Sequence, residues 1–296
     1  MALTYTKHKD RLFRFIFGNP DKREWTLNLY NAMNNSHYTN PDDIEYNTIE
    51  DAIYMGMKND VSFIIVNEMN LWEHQSSFNP NMPVRFLIYT AQLYDKYFTK
   101  NNLSRYARKL QEIPHPKCVC FYNGIEARPE QEILKLSDAF ISQGVDTDIE
   151  VCVKMLNINY GYNKAIMETS IQLGEYAWFV DRARTLQDEL GDIDLTMDTV
   201  IEEMPDSFSI KKFLLAHKAE VKGMFLTEYN EEKERRLLRR EDRAEGREEG
   251  HKETITSVVT KMLRKGFSLS MIKEVTDASS DFICGVANNI GVPVVM

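Results

Sequence analysis

Apolar positions along the chain recur with two different periods, and the switches between them outline the elements. Leu12, Phe13, Phe15, Ile16 and Phe17 make a dense apolar cluster that Gly18-Asn19-Pro20 ends. Residues 21–34 then predict a helix, with Trp25, Leu27, Leu29, Tyr30 and Met33 on its apolar side. The β-branched positions Ile44, Thr48, Ile49 and Ile53 predict a strand over 44–55. Val61 to Val66 is a short apolar run, and residues 71–76 resume an alternating pattern. Asn67 to Asn70, between them, has turn chemistry, so the two runs predict a hairpin.

After the hairpin, Phe78-Asn79-Pro80-Asn81-Met82-Pro83 is a loop that starts a helix, with Pro83 suited to the first helical position. Helical spacing follows over 84–98. Residues 117–122 predict a strand that Asn123-Gly124 stops, and 133–140 and 149–158 predict two more. Helices are predicted over 167–184 and 210–229. The order helix, strands, helix, strand is that of an α/β core. From Glu228 to Glu253 the composition turns strongly charged, with Leu237 and Leu238 the strongly apolar residues. This predicts three parts: residues 1–228 as the α/β domain, 229–252 as a charged helical linker and 253–296 as a small helical module. Helices over 254–265, 269–275 and 280–288, joined by tight turns, resemble a helix-turn-helix. The third carries no arginine or lysine, so docking, with a homodimer as the expected assembly, suits the module better than base reading.

Charge and composition narrow the class. The 296 residues carry a net charge of −9, which argues against a generic basic coat for nucleic acid. The balance is uneven, however. Pro83 to Lys117 holds seven basic residues and two acids, a local charge of +5. Such a segment is either a solvated face or a phosphate-facing patch. Cys118, Cys120, Cys152 and Cys284 form no C-x-x-C pair and read as small apolar residues of a reducing compartment. There is no secretory leader pattern and no apolar run of membrane-spanning length, so a cytoplasmic protein is expected.

The candidate chemistry lies in the hairpin. Period-2 geometry puts Glu73 and Gln75 on one face, and Trp72 and His74 on the other. Asp60 precedes Glu73 by 13 positions, so in a paired hairpin it can share that face. Two carboxylates and an amide together are costly to bury without a cation or strong hydrogen bonds. Oxygen donors of this kind suit Mg²⁺ or Mn²⁺. The same spacing also suits an aspartate that starts a strand beside acids facing solvent.

The wider sequence carries a resemblance. Asp60 followed by Glu73-x-Gln75 resembles the motif of the PD-(D/E)XK nuclease superfamily. K-N-D-V-S-F-I-I, W-E-H-Q-S-S-F-N-P-N-M-P-V-R-F-L-I-Y (72–89), L-S-D-A-F (136–140), L-N-I-N-Y-G-Y-N (156–163) and A-E-V-K-G-M-F-L-T-E-Y (219–229) resemble its recombination-promoting nuclease and transposase family. The resemblance spans about residues 10–230. It implies a mixed sheet flanked by helices, and Mg²⁺- or Mn²⁺-dependent DNA cleavage in recombination or the movement of mobile elements. It implies Asp60 and Glu73 as metal ligands, and Gln75 in the place usually held by lysine. Glutamine orients a water but lacks the charge that stabilises a developing phosphorane. Glu24 and Asp51 are further acids that resemblance and proximity in sequence bring forward. Arg85, Lys96, Lys100, Arg105 and Arg108 are the candidate DNA contacts, with Arg85 and Tyr89 one helical turn apart. A DNA-binding protein with a decayed nuclease fold, and a defence nuclease, are the alternatives.

Rival motifs fail. There is no G-x-G loop, no G-K-[ST] and no G-x-S-x-G. The histidines show no zinc spacing. Asp192-x-Asp194-x-Thr196-Met197-Asp198 approaches a calcium loop but has Met197 where glycine is needed, and reads better as an acidic helix start.

Overall fold

The structure is a computed structural model that describes residues 12–47, 60–142 and 144–295. By its internal contacts the chain divides into two units, Met1–Glu232 and Lys233–Met296.

The first unit is built on one mixed, open sheet. Its strands are β1 (Glu45–Tyr46), β2 (Val61–Ile65), β3 (Glu68–Gln75), β4 (His115–Tyr122), β5 (Gln131–Lys135) and β6 (Cys152–Asn157). They lie in the order β1-β2-β3-β4-β6-β5. β3, β4 and β6 run parallel, while β2 pairs with β3, β1 with β2 and β5 with β6 in the antiparallel sense. The helices are α1 (Leu12–Phe17), α2 (Arg23–Asn34), α3 (Met82–Lys100), α4 (Lys164–Thr169), α5 (Ile171–Leu190), α6 (Ile193–Glu203), α7 (Lys211–Ala216) and α8 (Lys218–Arg264).

Side-chain alternation assigns these helices to layers. Phe63, Trp72, Phe121 and Leu156 face one side, where they pack with α1, α2, α5, α6, α7 and the start of α8. Leu71, Cys120, Tyr122 and Met155 face the other, under Phe86, Tyr89 and Leu93 of α3. β3 is therefore covered on both sides, and seven of its eight residues are buried. Each tightly packed core side of this kind contributes roughly 25 cal/mol per Å² of apolar surface removed from water.

The sequence reading of an α/β core holds, with local corrections. The hairpin turn is Val66-Asn67, shorter than the expected Asn67 to Asn70, because Ile65 pairs with Glu68. Val66 takes a φ of +55°, a conformation two-residue hairpin loops demand and β-branched residues rarely adopt. Strand β5 ends at Lys135 and passes into a 3-10 turn over Leu136–Ala139, where a strand to 140 was expected. The helix expected over 167–184 is two helices, α4 and α5, meeting at Ser170. The strand expected over 44–55 is described at Glu45–Tyr46, and residues 48–59 lie outside the described residues. Asp192 caps α6, its Oδ1 accepting from the N–H groups of Asp194 and Leu195, as an acidic helix start should.

The second unit has its own core, in which Val259 and Leu263 of α8 pack with Ile272, Ile283 and Val286. The last three belong to α9 (Leu269–Thr276) and α10 (Ser280–Ile290), capped by Ser268 and Ser279. Residues 229–252, expected as a helical linker, are part of α8. Among the described residues no helix is long and apolar enough to cross a membrane.

Candidate active site at the end of the hairpin

Register brings the three motif residues together. Val61 lies opposite Trp72, so Asp60, one residue earlier, stands opposite Glu73. The backbone N–H of Asp60 donates to Glu73 Oε1 at 3.2 Å. In return, the N–H of His74 donates to Asp60 Oδ2 at 2.6 Å. Each carboxylate is thus held by the other strand's backbone. Glu73 and Gln75 share the face with Leu71 and lie under α3, whereas His74 lies on the opposite face. There His74 stacks on Phe13 with ring centroids 5.4 Å apart, and its Nε2 is 3.2 Å from Tyr176 Oη. This is the packing role its position predicts.

The cation that a buried acid cluster requires comes from α3. Arg85 sits in the first turn of that helix, and its Nη2 donates to Glu73 Oε2 at 2.9 Å. The Glu73 side chain is 2% exposed and that of Arg85 27%. Arg85 Nε and Nη2 also donate to Tyr89 Oη, at 3.1 and 2.8 Å, one helical turn on. Burial works against the Arg85 charge, but Glu73, with Tyr89 and Asp60, outweighs it and raises the guanidinium pKa. Burial first, and then the Glu73 charge, push the Tyr89 phenol up to about 12.

Gln75 is 4% exposed, and its Nε2 is buried with no hydrogen-bond partner. A buried donor left unpaired costs about 1–3 kcal/mol, so an acceptor is wanted at that point. Beside it, the Asn123 N–H donates to the carbonyl of Gln75 at 3.0 Å, and Asn123 Oδ1 is also buried without a partner. Arg184 Nη1 donates to the Asn123 carbonyl at 2.6 Å. Arg128 lies 3.6 Å over the ring of Phe78, three residues past Gln75. Asn123, Arg128 and Arg184 thus stand at the same sheet end as the motif. They were missed in the sequence because long-range strand order, not spacing, places them. The Asn123-Gly124 stop was the available signal. Gly124 is required there: a Cβ would meet Ser76 O at 2.5 Å.

The other candidates lie elsewhere. Glu24 is exposed on α2 and faces Lys22 at 4.0 Å. Asp51 lies outside the described residues. Lys96, Lys100, Arg105 and Arg108 are exposed at and beyond the far end of α3. Fifteen residues of helix put Lys100 about 22 Å from Arg85. Lys100 pairs with Glu45 and Arg105 with Asp95, while Lys96 Nζ reaches the Asn47 carbonyl at 3.5 Å. The local +5 is therefore partly neutralised within the fold.

The donor set fits a hard divalent cation on one condition. Asp60 and Glu73 offer carboxylate oxygens on one face, and Gln75 Nε2 on that face is a buried donor that calls for an acceptor. The condition is that Glu73 Oε2 exchanges Arg85 for the cation. Among the described residues no three His, Cys, Asp or Glu side chains group to hold a metal, so the pair and backbone or water oxygens must suffice. No family model, curated protein or solved structure matches this chain.

Proposed function

We propose that this chain is a Mg²⁺- or Mn²⁺-dependent DNA endonuclease that hydrolyses phosphodiester bonds in recombination or the movement of mobile elements. The carrying observation is the meeting of Asp60 and Glu73 across adjacent antiparallel strands, on the face that also carries the buried, unpartnered Nε2 of Gln75. The PD-(D/E)XK-like motif and its surrounding sequence give the reading its direction.

Asp60 and Glu73 are the residues to hold the cation, which when bound lowers the pKa of water and polarises a phosphoryl oxygen. The protein's own groups do the rest. Gln75 Nε2 donates to the attacking water and fixes its line of approach. It carries no charge, so the rate should fall below that of a lysine-bearing site. Arg85, steadied by Tyr89, presents a planar fork to a phosphate. Lys96, Lys100, Arg105 and Arg108 contact DNA backbone farther along the duplex. The partners on this reading are DNA and a second copy of the chain, joined through residues 253–296.

A second reading has an observation of its own. Gln75 replaces the usual lysine and Glu73 is already paired with Arg85, as in a DNA-binding protein that no longer cuts. Nicking of supercoiled plasmid separates the two. The nuclease reading predicts nicks in Mg²⁺, none in chelator and none from Asp60→Asn. Intact plasmid under all conditions, with DNA still bound, would establish the second.

A further inference from the structure

Glu73 serves two masters if the site works as described above. Its Oε2 accepts from Arg85 at 2.9 Å, yet the same oxygen belongs to the set that would hold a cation. A guanidinium and a divalent cation cannot both occupy it. The environment of Arg85 shows how the conflict resolves. Its Nη2 is shared between Glu73 and Tyr89, its Nε is held by Tyr89, and its Nη1 has Met82 Sδ at 3.6 Å. A thioether is a weak acceptor, so Nη1 is a donor with capacity to spare. The side chain is 27% exposed, whereas Glu73 is enclosed. A phosphodiester arriving at the hairpin end therefore meets the guanidinium before it meets the acid.

We propose that Arg85 is a positioning residue that couples cation binding to substrate. In the free protein it neutralises Glu73 and keeps the cation affinity low. A DNA phosphate engages Nη1 and Nη2 as a bidentate acceptor and draws the guanidinium off Glu73. Glu73 is then a buried carboxylate lacking its counter-charge, and a divalent cation restores the balance. Phosphate and cation thus bind cooperatively, each raising the affinity for the other by the same factor. Tyr89 keeps the guanidinium in reach of both positions, since its hydroxyl accepts from Nε throughout. The free protein would accordingly not hold an activated water in the absence of DNA.

This inference rests on the nuclease reading, and one experiment separates their failures. Mn²⁺ binding is followed by the loss of the free-ion electron paramagnetic signal, with the full chain and a short duplex carrying phosphorothioate linkages. The wild type should bind Mn²⁺ at least about tenfold more tightly with duplex than without. Arg85→Gln should bind Mn²⁺ more tightly than wild type without duplex, and gain little when duplex is added. Arg85→Lys keeps the charge but not the fork, and should retain only part of the coupling. Tyr89→Phe keeps the fork and loses its anchor, so it should tighten Mn²⁺ binding without duplex; it carries the test if Arg85→Gln does not fold. Equal gains from duplex in wild type and Arg85→Gln would overturn the coupling and leave the nuclease reading standing. No Mn²⁺ binding by any of the proteins would overturn both.

Discussion

A buried carboxylate needs a counter-charge, and Glu73 draws its own from a different element, 12 residues away. The sequence showed that Glu73 and Gln75 share a strand face, because side chains alternate with period 2. It also pointed to a cation or strong hydrogen bonds as what burial of such a face calls for. It did not show that Arg85 is that cation, since the angle at which α3 leaves the sheet is a matter of tertiary packing. Tyr89 was placed one turn from Arg85, and its hydroxyl anchors the guanidinium from that position. The Tyr89 phenol, pushed up to about 12, gives a pH signature of this cluster. Below pH 10, the ordinary value, the phenol is protonated in folded and unfolded chains alike, and its contribution is fully present. Between 10 and about 12 the unfolded chain loses this proton and the folded one keeps it. The unfolded state then binds fewer protons, so stability falls as pH rises. Urea midpoints measured from pH 9 to 12 should drop less steeply for Tyr89→Phe than for wild type. Identical slopes would remove Tyr89 from the alkaline transition. Tyr46, also at about 12, and Cys118, raised by burial to about 12, add to the wild-type slope and remain in the variant.

At the scale of elements, the hairpin was legible and its turn was not. Asn67 and Asn70 pointed to a turn two residues too long, because asparagine's turn preference outweighed the alternation that actually starts at Glu68. The active face survived this error: a loop over 67–70 would set Asp60 opposite Ser77 instead of Glu73, a slip of four residues, and an even slip keeps every side chain on its face. Residues 133–140 misled in another way: apolar Leu136 and Phe140 extend a strand pattern through what is a 3-10 turn over Leu136–Ala139. Helix α3 links the two parts of the proposed interface. Arg85 stands in its first turn beside the carboxylates, and Lys96 and Lys100 stand in its last turns. Each phosphate contact contributes a slope of about 0.9 to the salt dependence of duplex binding. Neutralising Lys96, Lys100, Arg105 and Arg108 together should flatten that slope. The loss should be smaller than four full contacts, because Lys100 and Arg105 already have carboxylate partners. An unchanged slope in fluorescence anisotropy titrations would make this end of α3 a solvated face.

For the molecule as a whole, strand direction explains why a site forms where it does. β3, β4 and β6 are parallel, so Gln75, Tyr122 and Asn157 stand together at the carboxyl end of the sheet. Open α/β sheets bind ligands outside the carboxyl ends of their strands. Element order foretold an α/β core, and a mixed sheet flanked by helices was what the resemblance implied. Neither foretold which helices take which face, because six helices pack on one side and α3 covers the other. The two short terminal helices, α9 and α10, carry serine caps and left-handed stops at Asp277 and Gly291, which are local signals, whereas the helix expected over 254–265 is the end of α8. The central claim concerns one pair of side chains: that Asp60 and Glu73 support metal-dependent hydrolysis of DNA. Its most direct test is single-turnover cleavage of a labelled duplex in saturating Mg²⁺ by the full chain and by Glu73→Gln, with circular dichroism confirming that both are folded. The account predicts measurable cleavage by wild type, abolished by chelator, and a rate at least about 100-fold lower for Glu73→Gln, the scale on which a transition-state stabiliser is lost. Cleavage by Glu73→Gln at the wild-type rate would contradict it.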